Sequence, residues 1–474
     1  MTNRCPGRDL FSPAAWLLGL VVTSLAQPGA QSPSARGREQ PETVPTITAN
    51  VKEVLVPVIV TDPKGHHISD LKKSDFHVSE DGVPQEIVAF RTTVDAAAPV
   101  PAPDIGQAAG GVAGSPTKAS PRPAPASKSV RHTYLILIDT LHSSFASFGR
   151  VRDALLKSLR QEQSTDTQYA LMALGRDLTV IKDSTSDLAA IEAAIGSKGF
   201  TKTIQTSEAA GTGMAVQQFT ALMRGYCSVC ACESNNGTDG PECAGVKGRV
   251  RGFLSNFEDR TFILNHNFLL RLNELVRATA SMPTSRSIIL ISDGFNRSPG
   301  RELYGVVRGF APRDHSFWFT SRDTEPELQN VLKWATAYDV KFYTLDSRGV
   351  YSSAFAAGGT FDASSSFSNG QMGGGNPSSP TPESVDLEAA SVARENADGM
   401  ALLARQTGGI FFQSSNDLPR GITTALTDSR QYYVLAYVPK NGASDGKYRS
   451  IKVEVNGGDK FRVNAKAGYW ADEK

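Results

Sequence analysis

From Thr46 the chain alternates apolar and other residues, ITANVKEVLVPVIVTD. A period of two predicts a strand with Val54, Val56, Val58 and Val60 on one face. Pro63-Lys64-Gly65 signals a turn. Phe76 and Val78 then open a short strand, Glu80-Asp81-Gly82 turns it, and Glu86 to Phe90 returns as a second. Residues 47–94 thus read as a small antiparallel β segment. Residues 95–129 are rich in Pro, Ala and Gly and nearly devoid of large apolar side chains, so they read as a linker.

The period changes at Thr133. TYLILID is an unbroken apolar run, the pattern of a strand buried on both faces. Phe148, Val151, Ala154, Leu155 and Leu159 follow at helical spacing. TQYALMAL and LTVIKD read as strands, and Ser186 to Ile195 as a helix capped by Ser186. Phe268 to Ser281 is helical, and SRSIILISDG is a second buried strand ending in Asp293-Gly294. Glu325 to Tyr338, VKFYTLD, Asn396 to Gln406, GIFFQS and Leu418 to Ser429 continue the alternation of helix and strand. This predicts an α/β domain over 130–430, with a doubly wound, mostly parallel sheet. It carries a Cys-rich insertion at 225–247 and a Ser/Gly-rich insertion at 352–385. Residues 431–474 return to β patterns: QYYVLAYVP, YRSIKVEVN and FRVNAKAGYW. Each terminal β segment is too small to fold alone, so the two are expected to pair into one small β-sandwich-like module.

Residues 1–26 read as a secretory signal peptide: Arg4 and Arg8, then the apolar stretch AAWLLGLVV, then small residues at Ser24 and Ala26. Residues 27–46 form a polar leader. The apolar stretch is too short to span a bilayer, so a membrane anchor is the lesser expectation. Cys227, Cys230, Cys232 and Cys243 fall close together. In an exported protein four such cysteines favour two local disulfides, in a pairing left open, on a turn-rich surface excursion. A four-thiolate zinc site is the alternative. Forty-nine basic against 48 acidic residues leave a net charge of +1, which removes nucleic acid or an anionic membrane as a partner held by bulk charge.

TYLILIDTLHSS followed by a helix, and then SIILISDG, resemble the first and fourth strands of a von Willebrand factor A domain. VPVIVTDPKGHHISDLKKSDFHVSEDGVPQEIVAF and the ending YYVLAYVPKNGASDGKYRSIKVEV…AKAGYW are similar to exported VWFA-related proteins abundant in Acidobacteria. The resemblance implies a metal-ion-dependent adhesion site, D-x-S-x-S after the first strand, completed by a loop Thr and by an Asp after the fourth. Asp139, Ser143 and Asp293 match it, but Leu141 stands where the first Ser belongs. Thr201, Thr203, Thr206 and Thr212 are the candidates for the loop Thr. The degenerate set implies Mg²⁺ or Mn²⁺ held through these oxygens, or strand ends merely capped by Asp. His142 is a conceivable nitrogen ligand, and otherwise a surface residue.

Gly442-Ala443-Ser444-Asp445-Gly446 matches G-x-S-x-G, but it lies between two β runs rather than at a strand–turn–helix elbow. His66-His67 has no spaced partner for zinc. The leading expectation is a non-enzymatic extracytoplasmic binding or adhesion-type protein, periplasmic or secreted, that engages a protein or cell-envelope ligand. An extracytoplasmic hydrolase with an unrecognised site and a purely structural envelope component are the alternatives.

Overall fold

A computed structural model describes residues 53–92, 132–161, 166–205, 209–230, 240–282, 284–298, 300–311, 314, 317, 322–349, 396–413, 416–428 and 430–472. The expected signal peptide, leader, Pro/Ala/Gly linker and Ser/Gly-rich insertion lie outside these residues.

Eight of the strands build two four-stranded sheets. They are β1 (Val54–Thr61), β2 (Phe76–Glu80), β3 (Val83–Gln85) and β4 (Ile87–Thr92) near the start, and β11 (Tyr433–Tyr437), β12 (Tyr448–Val455), β13 (Arg462–Ala465) and β14 (Gly468–Trp470) near the end. Their orders are β13-β1-β11-β4 and β14-β12-β2-β3, so each sheet interleaves strands from both ends of the chain. Val56 lies opposite Leu435, and Val78 opposite Val453. One apolar cluster, with Val56, Val58, Phe76, Val78, Leu435, Tyr437 and Ile451, joins the two sheets. The alternation of valines in β1 does face this core. The return after Asp81-Gly82 is not one strand as expected. It is a three-residue strand in the same sheet, then a crossing at Glu86 into the other. Asp81 and Gly82 have φ of 48° and 80°, the two positive values a tight hairpin turn requires.

The remaining strands form a mixed, mostly parallel α/β sheet. They are β5 (His132–Asp139), β6 (Thr167–Leu174), β7 (Leu178–Thr185), β8 (Ser285–Ser292), β9 (Val340–Asp346) and β10 (Phe411–Phe412). The order is β10-β9-β8-β5-β6-β7, parallel throughout except for antiparallel β7 at one edge. Period-two alternation splits the apolar runs between two helical layers. Tyr134, Ile136 and Ile138 meet α1 (Phe145–Gln161), α2 (Leu188–Ile195) and the helix Leu418–Asp428. Leu135 and Leu137 face the other layer, which includes Phe268, Leu272, Val331, Met400 and Leu403. Helix α2 is capped by Asp187, whose carboxylate accepts from the amides of Ala189 and Ala190, and not by Ser186 as expected.

The largest departure from expectation is the Cys-rich region. Its described residues are helical on both sides of 231–239, where a turn-rich surface excursion was the expectation. After α3 (Lys198–Gln205), α4 (Ala209–Cys230) and α5 (Pro241–Ala278) run up to the connection at 231–239, which lies outside the described residues. At 38 residues α5 is about 57 Å long. Its second half packs on the sheet. Its first half, with α4 and α6 (Arg301–Phe310), builds a separate core of Phe219, Met223, Val250, Leu254, Leu303 and Val307. A Cys230–Cys243 disulfide ties the end of α4 to the first turn of α5, and both sulfurs are buried in that core. Cys227 is also disulfide-bonded, to a cysteine outside the described residues.

Candidate functional site

β5 and β8, first and fourth of the sheet in chain order, lie side by side. Such a switch point opens a crevice at the strands' carboxyl ends. Asp139 ends β5, and Asp293 follows β8 directly. Both are buried. Of the three residues expected to act together, two are bonded directly: the Asp293 amide donates to Ser143 Oγ at 3.0 Å.

The Asp139 carboxylate is fully engaged by its own loop and the end of β8. Oδ1 accepts from the amides of Leu141 (2.8 Å) and His142 (3.0 Å). Oδ2 accepts from Ser292 Oγ (2.6 Å) and is paired with His142 Nδ1 (2.8 Å). The hydroxyl of Ser292 is oriented in turn by the Gly294 amide, which donates to it at 2.8 Å. The other ring nitrogen, His142 Nε2, is 2.6 Å from Asn265 Oδ1. The side-chain amide of Asn265 cannot be reversed, because its Nδ2 donates to the Asn296 carbonyl at 2.7 Å. His142 is therefore no loose surface histidine. Its ring also sits edge-on to Phe268 at 4.8 Å. Burial pulls the His142 pKa down, but the charge of Asp139 and the hydrogen bonds to Asp139 and Asn265 outweigh it and hold the pKa above its ordinary value.

Asp293 is held from the other side. Its Oδ2 accepts from the Ser144 amide (2.8 Å) and Ser147 Oγ (3.0 Å), and its Oδ1 from Ser347 Oγ (2.6 Å). It thus sits at the N-terminus of α1, where amides and helix dipole favour an anion. Burial pushes its pKa up, against these donors and the charge of Arg348, which pull it down. Next to it, Arg348 grips Asp346 through two parallel bonds of 2.9 Å, and Arg150 on α1 donates to the Arg348 carbonyl.

Several of these residues carry no local signal in the sequence. Asn265 lies 123 positions from His142 and reaches it only because α5 packs against the sheet. Ser292, Ser347 and Ser147 are ordinary serines until the strand ends assemble. Ser292 alone was within reach, as the residue before the Asp of the S-D-G motif. Of the Thr candidates, Thr201 lies exposed on α3 and bonds the carbonyl of Ser197. Thr206 lies outside the described residues.

A divalent cation of the kind the sequence resemblance implies needs oxygen lone pairs around one point. All four lone-pair positions of Asp139 are taken by donors, Leu141 offers no oxygen, and a histidine ring closes over the carboxylate. As arranged, the donor set does not fit Mg²⁺ or Mn²⁺. Among the described residues, no group of three or more His, Cys, Asp and Glu is placed to hold a metal.

No protein-family model matches the chain, and no curated protein matches it. Similar solved structures include an aerotolerance-related membrane protein from Bacteroides fragilis, 10% identical over 63% of this chain and 98% of that one, TM-score 0.26. The conserved hypothetical protein BatB from Bacteroides thetaiotaomicron is 12% identical over 62% of this chain and 97% of its own, TM-score 0.25. The vWF domain of the type V pili tip protein Mfa5 from Porphyromonas gingivalis is 8% identical over 64% and 95%, TM-score 0.19.

Proposed function

We propose that this chain is a non-enzymatic, extracytoplasmic binding protein, with a von Willebrand factor A-like α/β unit. Its loops at the carboxyl ends of β5, β8 and β9 are the binding face, and its ligand is a protein or cell-envelope component. The observation that carries this reading is the pair Asp139 and Asp293. They close two neighbouring strands at the switch point and lock the flanking loops into one shape through internal hydrogen bonds. Loops so fixed present a preorganised surface, which lowers the ordering cost of binding. The disulfides at Cys227 and Cys230–Cys243 support export. Among the described residues no helix is long and apolar enough to cross a membrane. The two antiparallel sheets, each with strands from both ends, support a β-sandwich-like module beside the α/β unit.

Charge reversal on the rim of the face tests the reading. Arg150 is exposed, and the Arg297 side chain is 43% exposed. Arg150→Glu and Arg297→Glu should each weaken capture of a partner from envelope extract at least about tenfold. Lys198→Glu, on an exposed turn of α3, should leave it unchanged. Equal capture by all three variants would remove these loops as the binding face.

A further inference from the structure

We propose that the His142 side chain is a built-in cation that takes the place of a divalent metal at this switch point, so that the loop face engages its partner without a metal ion. The inference rests on which atoms must donate. Asn265 spends its Nδ2 on the Asn296 carbonyl and so turns its Oδ1 to His142 Nε2, which must carry a hydrogen. Ser292 Oγ accepts from the Gly294 amide and gives its own hydrogen to Asp139 Oδ2. Facing the same carboxylate oxygen, His142 Nδ1 must also donate. With both ring nitrogens donating, the ring is an imidazolium with no lone pair for a metal. Its one positive charge lies 2.8 Å from a carboxylate that has no acceptor site left.

The surroundings fit a permanent occupant rather than an exchangeable one. The ring is packed edge-on to Phe268 and tilted against Phe295, and its side chain is 16% exposed. Leu141 packs in the apolar core at 4% exposed and offers no oxygen to the site. The same two residues, 141 and 142, thus remove an oxygen ligand and supply a charge. Asn265 comes from the half of α5 that packs on the sheet, so an element distant in sequence fixes the ring.

Manganese titration of the whole protein followed by electron paramagnetic resonance tests this, with no partner present. The wild type should leave the spectrum of free Mn²⁺ unchanged at millimolar ion. The double variant Leu141→Ser/His142→Ala, shown folded by circular dichroism, should bind one Mn²⁺ at least about tenfold more tightly than wild type, the scale on which single supporting groups act. Asp139→Ala in that background should abolish the gain. One Mn²⁺ bound by wild type and lost in Asp139→Ala would overturn the proposal, and so would silence of the folded double variant. Should the double variant not fold, nitrogen NMR of the wild type still decides. Both His142 ring nitrogens should be protonated at neutral pH, and a neutral tautomer would overturn the proposal. Metal-free engagement of the partner rests on the binding face proposed above. Capture unaffected by chelator supports it, and capture lost in chelator refutes it. Failure of the manganese result alone leaves the binding face standing.

Discussion

Single atoms set the character of the site. The buried Asp139 carboxylate satisfies two amides, a hydroxyl and a ring N–H at once. Removing it strands all four donors and leaves the His142 charge without its partner. Breaking a buried ion pair in this way costs about 3–5 kcal/mol, and Asp139→Ala is expected to lose that much in urea unfolding. Asp139→Asn, which keeps one carbonyl oxygen for the two amides, should lose less. Gly294 is the second sensitive point. Its φ is +93°, and a Cβ there would lie 2.6 Å from the Asn396 carbonyl. Gly294→Ala is expected to cost about 1–3 kcal/mol through backbone strain, read as a lower urea midpoint with an unchanged slope. The carboxylates at 139 and 293 are visible in the sequence as strand ends. Their partners are not, because hydrogen-bond partners from other elements have no local spacing.

Among the elements, α5 separates what patterning reveals from what it hides. Cys243, Val246, Val250, Leu254 and Phe257 stand three and four residues apart, a helical stripe readable without coordinates. Gly245, Gly248 and Gly252 between them lower intrinsic helix propensity, and the Cys-rich stretch before them suggests turns. Tertiary burial overrides both, as is usual for helices held by one apolar face. The disulfide has its effect at this scale. It closes a short loop, Cys243 lying 13 positions after Cys230, and lowers the entropy of the open chain by an amount worth about 3 kcal/mol. Because α4, α6 and the first half of α5 have a core of their own, the cost of a Cys230→Ser/Cys243→Ser double substitution should fall mainly on them. Amide exchange should accelerate in α4 and residues 241–257 while β5 and β8 keep their protection. Uniform acceleration across the sheet would show that the helical unit is not a separate layer of stability.

Across the whole molecule, the two ends of the chain depend on each other. β1 lies between β11 and β13, and β2 between β3 and β12. A chain cut after residue 430 loses both partners of β1, the single partner of β4 and one of the two partners of β2, leaving only the β2–β3 pair, and 53–92 should then exchange like unfolded peptide while the α/β unit keeps its protection. Buried phenols add a pH signature. Burial, followed by the Glu80 hydrogen bond, pushes Tyr437 well up, and burial raises Tyr343 and Tyr304 as well. Tyr448 is pushed up to about 12. Below about pH 10 these groups are protonated whether folded or not. Above it the unfolded chain releases protons that the folded chain retains, so stability falls as pH rises. The urea midpoint should therefore be flat up to about pH 10 and decline above it, together with the appearance of tyrosinate absorbance. A midpoint unchanged at higher pH would contradict the burial of these hydroxyls.

The sequence by itself determined the alternation of strand and helix, the doubly wound class, the two-sided burial of TYLILID and SIILIS, and the β character of both ends. These follow from local periodicity, which burial on one or two faces imposes on each element in turn. It also placed Asp139 and Asp293 at strand ends. Only the tertiary structure decided that the first half of α5 builds a core apart from the sheet, that Asn265 reaches His142 across 123 positions, and that donors from neighbouring elements close the carboxylates at the switch point. A hydrogen bond between distant residues depends on where whole elements pack, and no stretch of sequence short enough to have a period carries that information.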